Sequence, residues 1–326
     1  MMETERRRLL RSQLMATSTI LDLRQMSVRQ LEPLLEEETR HWREELHWDY
    51  RNATELIRRF LDAHSLAGYA AMEDGEAAGY SFYVLEEQKG LIGGLYVSRK
   101  YPQEQIGRRL LEELLFNLRA IPHLERIEAQ LMPFGCAMDQ ALGAHGFRLY
   151  GRLFMLLAIS DTPPAAGPAP AMRPERWHDR FFEPCARLIH LAYTDHVDSE
   201  INDQYQSAAG ALRFLKNIIL LPGCGQFLPA ASFLLRAPGS NELIGAVLSS
   251  EVAPRVGHIT QICVQPGFQG QGLGRKLILA AIEALREMRF GKLTLTVTSA
   301  NTPAVRLYET LGFRTVKTFS AAVWPA

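Results

Sequence analysis

The segment whose residue types and spacing say most about chemistry runs from Val264 through Gln269, Gly270, Gln271, Gly272, Leu273, Gly274 and Arg275 to Lys276. An apolar run, His258 to Val264, delivers the chain to it, and a helical pattern follows. At a helix start the first N–H groups lack internal partners and the dipole is positive, so an anion is favoured there. Gly270, Gly272 and Gly274 present backbone without a Cβ, so phosphate oxygens can approach the amides. A P-loop requires Gly-Lys-Ser/Thr, but Gly274 is followed by Arg275 and Lys276. A dinucleotide fingerprint requires G-x-G-x-x-G; counted from Gly270 its sixth position is Arg275, and the next strand ends in Ser299 instead of an acid. Neither pattern applies.

A second constellation follows at Asn301, Ala304 and Tyr308, before Leu311-Gly312-Phe313. On a helix starting near Pro303, Tyr308 lies one turn beyond Ala304 on the same face. Together, Gln269-x-x-Gly272-x-Gly274 and Asn301-x-x-Ala304-x-x-x-Tyr308 resemble the two signatures of the GNAT N-acetyltransferase superfamily. The resemblance covers residues 172–324 and implies acetyl-CoA as co-substrate, with no metal. It implies that Ile262, Cys263 and Val264 hold the pantetheine amides by main-chain bonding, as an added strand does. One of their N–H groups would polarise the thioester carbonyl. Asn301 would offer its amide to the pantetheine arm, and Ala304 would let that arm pass. The reaction implied is direct attack by a primary amine of a small molecule or peptide in a ternary complex.

The departing thiolate needs a proton, and Tyr308 is a feasible acid, a thiol having a pKa of ~8.5 and a phenol ~10. Two candidates for the base stay open. By period two His258 lies on the same strand face as Val264, where family members often carry Glu, and an imidazole near ~6.5 suits the task. Glu251, at the end of the preceding strand, is the other. A core or surface histidine without a catalytic role is the alternative for His258, and a plain solvated carboxylate is the leading reading of Glu251. Cys263 alternates onto the opposite face from His258. A second function class is a non-catalytic acetyl-CoA-binding or sensing protein, which the intact Tyr308 disfavours.

The strands and helices around these residues occur twice. In the second half, the Gly-rich turn leads to a helix with Ile278, Ala281, Ile282, Leu285 and Met288 on one face. A strand follows with Leu293, Leu295 and Val297 alternating against threonines, then a short helix ending at Gly312 and a last strand. The first half repeats this order, with an offset of 167 between Val97 and Val264 and 166 between Phe147 and Phe313. Each copy also has an upstream amphipathic helix and apolar runs suited to antiparallel strands. The fold expected is α/β (α+β): two tandem GNAT-like domains, each a mixed, mostly antiparallel twisted sheet flanked by helices. The boundaries read as a tail at 1–17, a first domain at 18–159, a Pro/Ala-rich linker at 160–171 and a catalytic domain at 172–326.

The first copy has lost the chemistry. Gln269 corresponds to Pro102, Gln271 to Glu104 and Gly272 to Gln105, while Gly274 persists as Gly107. Proline removes a donor, Glu104 places a negative charge beside a would-be diphosphate, and Gln105 adds bulk. Tyr308 corresponds to Leu142 and His258 to Leu91. This copy is expected to be non-catalytic. Trp42, Trp48, Tyr50 and Tyr80 either line an acceptor wall or fill its core.

The acceptor itself is not legible. Residues 190–221 carry His196, Asp198, Glu200, Asp203 and Tyr205, and the three carboxylates among them either greet a cationic amine or form a solvated helical face. Lys plus Arg and Asp plus Glu each number 36, so the formal charge is zero and nucleic acid is not an expected partner. The four cysteines, Cys136, Cys185, Cys224 and Cys263, form no CxxC pair and read as free thiols. No apolar run reaches the ~18 residues of a membrane span, and the Arg-rich start lacks an apolar core. A cytoplasmic protein is expected, and oligomeric state is not read.

Overall fold

A computed structural model describes residues 18–161 and 172–325; the tail at 1–17 and residues 162–171 of the Pro/Ala stretch lie outside the described residues. By their internal contacts the described residues form two compact units, 18–40 with 54–147 and 324–325, and 41–53 with 148–323.

The first unit opens with β1 (Thr19–Asp22), α1 (Val28–Leu46) and α2 (Arg51–Asp62), the stretch from His41 to Ala53 belonging to the second unit. It continues with β2 (Gly68–Glu73), β3 (Glu76–Glu86), β4 (Lys89–Val97), α3 (Gln103–Arg119), β5 (Arg126–Gln130) and α4 (Asp139–Ala144). The sheet order is β1-β2-β3-β4-β5, antiparallel except for β4 and β5, which run parallel and are joined by α3. Helix α3 forms because Leu110, Leu111, Leu114, Leu115 and Leu118 make one apolar stripe, and all five are buried.

The second unit contains β6 (Arg148–Ala158), β7 (Glu175–Arg176), α5 (Phe182–Tyr193), α6 (Val197–Ile201), α7 (Ala208–Leu220), β8 (Gln226–Phe227), β9 (Phe233–Arg236), β10 (Leu243–Ala253), β11 (Val256–Val264), α8 (Leu273–Glu287), β12 (Lys292–Thr298), α9 (Thr302–Thr310) and β13 (Arg314–Trp324). Its strands run β13-β6-β12-β11-β10-β9-β7, with β8 on β10, and only β11 and β12 are parallel. Strand β6, assigned to the first copy on sequence order, hydrogen-bonds to β12 on one edge and β13 on the other. Local pattern shows that a strand exists; it does not show which strand it pairs with.

One face of this sheet packs on α8 through Leu277, Ile278, Ala281, Ile282 and Leu285 against Ile259, Leu293, Leu295, Val297, Met155 and Leu157. Met288, read from sequence onto the same stripe, lies just past the helix end and is exposed. The opposite face packs on α5 and α7 through Cys185, Leu188, Ile189, Leu215 and Cys263.

The repeat holds rung by rung. The parallel ladder of the first unit pairs Lys89 with Arg126 through Ile92 with Ala129, and that of the second pairs Val256 with Lys292 through Ile259 with Leu295. Every partner is displaced by 167 on the first strand and 166 on the second. Each hairpin also carries a β-bulge at the equivalent place, between Phe82 and Tyr83 in one unit and between Leu248 and Ser249 in the other.

Candidate functional site

Strands β11 and β12 stop pairing after Ile259 and Leu295, yet β11 continues to Val264 and β12 to Thr298. Past the last rung, therefore, β11 has an edge that β12 does not cover. Its polarity follows from one bond: Gln265 donates its N–H to Ile244 O at 2.9 Å, so by alternation Cys263 and Gln261 face β10. Ile262 and Val264 then turn their N–H and C=O groups to the open side. Two side chains already use those carbonyls: the Tyr193 hydroxyl donates to Ile262 O at 3.1 Å, and Gln269 Nε2 donates to Val264 O at 3.0 Å.

Because β11 and β12 are parallel, their carboxyl ends deliver the chain to the same side of the sheet, where ligands of open α/β sheets bind. From Val264 the chain enters the glycine turn. Gly270 and Gly272 both have φ +75°, a conformation that L side chains rarely adopt, and a Cβ at either would meet open space. Backbone shape, not room, demands glycine there. Helix α8 starts at Leu273, and the Lys276 N–H makes the first helical bond, to Gly272 O. The N–H groups of Leu273, Gly274 and Arg275 precede it and have no partner within the helix. Gln271 and Arg275 are exposed beside them.

From Thr298 the chain reaches Asn301, whose Oδ1 caps α9 by accepting the Ala304 N–H at 3.3 Å. Tyr308, four residues on from Ala304, is buried with its ring edge-on to Phe313 at 5.8 Å. Burial first, and the Asp198 charge second, raise its pKa above that of an ordinary phenol. The hydroxyl therefore stays protonated at neutral pH. Ile262, Val264, the 269–275 turn, Asn301, Ala304 and Tyr308 thus converge on one end of the second unit.

Other expected residues stand differently. Glu251 pairs with Gly257, six rungs along the hairpin from the Gly245–Val264 rung, roughly 20 Å away at ~3.4 Å per residue. Its Oε1 accepts the Arg255 N–H at 3.0 Å and so caps the hairpin turn. His258 does not share a face with Val264. The bulge inserts Thr260 into the alternation, so Ile259, Ile262 and Val264 all pack toward α8. His258 lies on the other face, against Phe154 at 6.1 Å and Trp48 at 4.9 Å. Cys263 shares that face, contrary to the simple alternation. Nor does His258 have the near-neutral pKa that suits a base: burial pulls it down to about 3. Burial pushes the Cys263 thiol up to about 12, which leaves it inert as a nucleophile at neutral pH.

Sequence reasoning missed a polar cluster beside Tyr308. Arg152 Nη1 lies 2.9 Å from Asp198 Oδ1 and 2.7 Å from Thr298 Oγ1, and the Thr298 hydroxyl also donates to Asp198. His196 Nδ1 is 3.5 Å from Asp198 Oδ2, and its Nε2 is 3.3 Å from Asn301 Nδ2. Of these, His196 and Asp198 lie within the segment read as the acceptor region. Arg152 carries no local signal, since its strand reads as part of the first copy. Tyr193, the last residue of α5, carries no sequence signal of its own.

The equivalent turn in the first unit is built otherwise. Helix α3 begins at Gln103, the counterpart of Gly270, so the three residues that form the turn in the second unit are wound into the helix. Gln103 Nε2 still donates to Val97 O at 3.0 Å, echoing Gln269 and Val264. Leu142 is buried where the second unit has Tyr308. Among the described residues no group of three or more His, Cys, Asp or Glu could hold a metal, and no helix is long and apolar enough to cross a membrane.

Comparison with known proteins agrees with this geometry. The family described as Acetyltransferase (GNAT) family matches residues 28–147 and again 189–313. A protein named mycothiol acetyltransferase from Thermobispora bispora is 47% identical over 280 residues, covering 80% of this chain and 85% of its own. The structure of a GCN5-related N-acetyltransferase from Sphaerobacter thermophilus superposes with a TM-score of 0.63 at 17% identity, over 82% of this chain and 84% of that one. A tandem GNAT protein from the clavulanic acid biosynthesis pathway gives 0.58 at 13% identity, over 94% and 97%. These two likenesses carry the fold alone.

Proposed function

Because the chain belongs to the GNAT acetyltransferase family, we propose that its second unit takes acetyl-CoA as donor and transfers the acetyl group to an amine by direct attack in a ternary complex. The observation that carries this reading is the end of the β11·β12 ladder at Ile259 and Leu295, which leaves an open strand edge running into the Gly270–Gly272 turn. An extended amide arm fits that edge, and a diphosphate fits the unpaired N–H groups at 273–275.

In this reading the thioester supplies an activated acetyl group. An N–H of the open β11 edge hydrogen-bonds the acyl oxygen as it gains charge. The amine nitrogen forms the new C–N bond, the C–S bond breaks, and the electron pair leaves with sulfur. Tyr308, a protonated phenol at neutral pH, donates the proton the thiolate takes, and the proton the nitrogen loses passes to solvent water, from which the Tyr308 phenolate is reprotonated. Asp198, held by Arg152 and Thr298, supplies negative charge suited to an incoming ammonium. The first unit, with its turn wound into α3, holds no donor.

Relatives named mycothiol acetyltransferase make a mycothiol-type acceptor the first to try. The test is coenzyme A release from acetyl-CoA with that acceptor and with a polyamine, an amino acid, a sugar amine and a peptide. Release that depends on one amine, with an N-acetyl product by mass, is expected. Tight acetyl-CoA binding without turnover on any amine would replace the enzyme reading by a sensing one.

A further inference from the structure

We infer that His258 is a fixed, neutral hydrogen-bond acceptor for the amine substrate, holding it by Nε2, and not a group that gains and loses a proton during turnover. This rests on the transferase reading for the identity of the ligand; the state of the imidazole rests on geometry alone.

The first observation is the tautomer. Thr294 donates its hydroxyl to Gly257 O at 3.1 Å. A hydroxyl has a single hydrogen, so in its 2.9 Å contact with His258 Nδ1 the threonine oxygen accepts. Nδ1 therefore carries the hydrogen, and Nε2 is left with its lone pair. Among the described residues nothing donates to Nε2, yet it is not one of the fully enclosed unpartnered atoms. Those enclosed atoms include Ser250 Oγ, directly across the ladder from His258, together with Gln261 Nε2 and Arg152 Nε.

The second observation is the ring's confinement. Trp48 meets it edge-on at 66°, Phe154 lies nearly parallel at 13°, and the residue is 8% exposed. A second proton would bury a cation between two aromatic rings with Nδ1 already committed. The charged groups on the surrounding elements are engaged elsewhere. Glu251 on β10 is turned to the Arg255 N–H, Lys292 on β12 lies 3.1 Å from His47 Nε2, and Arg152 on β6 is turned to Asp198. Burial is the sole cause that lowers the imidazole's proton affinity.

The third observation is place. His258 lies two residues before the bulge residue Thr260, on the sheet face that also carries Gln261, Thr298 and Arg152. That is the Asp198 side of the sheet, from which an amine would come. An N–H donor is what a fixed Nε2 lone pair recognises.

The test uses the full chain with 15N-labelled imidazoles, followed by NMR from pH 5 to 8.5, the His258 signal being assigned by its loss in His258→Gln. A signal that stays neutral with hydrogen on Nδ1 throughout is expected; one that titrates in this range, or carries hydrogen on Nε2, overturns the inference. In kinetics with the amine found active above, His258→Gln, whose carbonyl still accepts, should keep the amine KM within about threefold. His258→Leu should raise it about tenfold, the worth of one hydrogen bond. Both variants should leave the acid limb of the kcat/KM profile in place, and its disappearance in both would make His258 the base. Failure of every amine defeats the transferase reading and with it the amine as ligand, while the NMR signal still decides the tautomer.

Discussion

Arg152 Nη1 lies 2.9 Å from Asp198 Oδ1, joining a strand that reads as the end of the first repeat to a short helix inside the candidate acceptor region of the second. Both side chains are about 15% exposed, so neither charge is well solvated. Arg152→Met should therefore cost about 3 kcal/mol, most of it from leaving Asp198 uncompensated. Arg152→Met combined with Asp198→Asn should recover part of that loss. Urea midpoints of the two variants check the non-additivity.

Tyr308→Phe removes the proposed proton donor and leaves the ring's packing on Phe313 intact. The expected result is a fall in kcat of about 10²-fold with little change in the KM for acetyl-CoA. A comparable rise in that KM with kcat unchanged would assign Tyr308 to binding alone.

Gly272→Ala tests the turn. At φ +75° an alanine is strained by about 1–2 kcal/mol although its methyl has room. Acetyl-CoA binding by calorimetry should weaken about tenfold. Gly267→Ala, at a glycine in open space without positive φ, should bind as the parent does.

Calorimetric stoichiometry tests the difference between the copies. One acetyl-CoA per chain is expected, because helix α3 starts at Gln103 and leaves no turn comparable to 270–272. Two equivalents would show that the wound turn still grips a diphosphate.

Stability against acid should report His258. Its folded pKa, about 3, lies below the unfolded value of ~6.5, so the unfolded chain binds the extra proton first. The contribution is complete above pH 6.5 and lost as pH falls toward 3, at up to about 1.4 kcal/mol per pH unit. Unfolding free energies at pH 7 and pH 4.5 should therefore fall less steeply in His258→Gln than in the parent. Equal slopes would show that the imidazole is protonated in the folded protein.

Local chemistry and spacing are legible along the chain. The glycine turn, the Asn301 cap, the Ala304–Tyr308 helical face and the 167/166 repeat all depend on neighbours a few residues apart or on a copied order. They reappear as Gly270 and Gly272 at positive φ, an Asn301 cap on α9, and matched parallel ladders. Strand pairing and the meeting of faces come from folding, because they join residues far apart along the chain. Strand β6 sits between β12 and β13, and this is what brings Arg152 to Asp198. Alternation assumes an unbroken strand, and one bulge at Thr260 was enough to move His258 to the face opposite Val264. Burial did the rest. An imidazole's proton affinity depends on what surrounds it, and Trp48, Phe154 and Thr294 reach His258 from parts of the chain far removed in sequence.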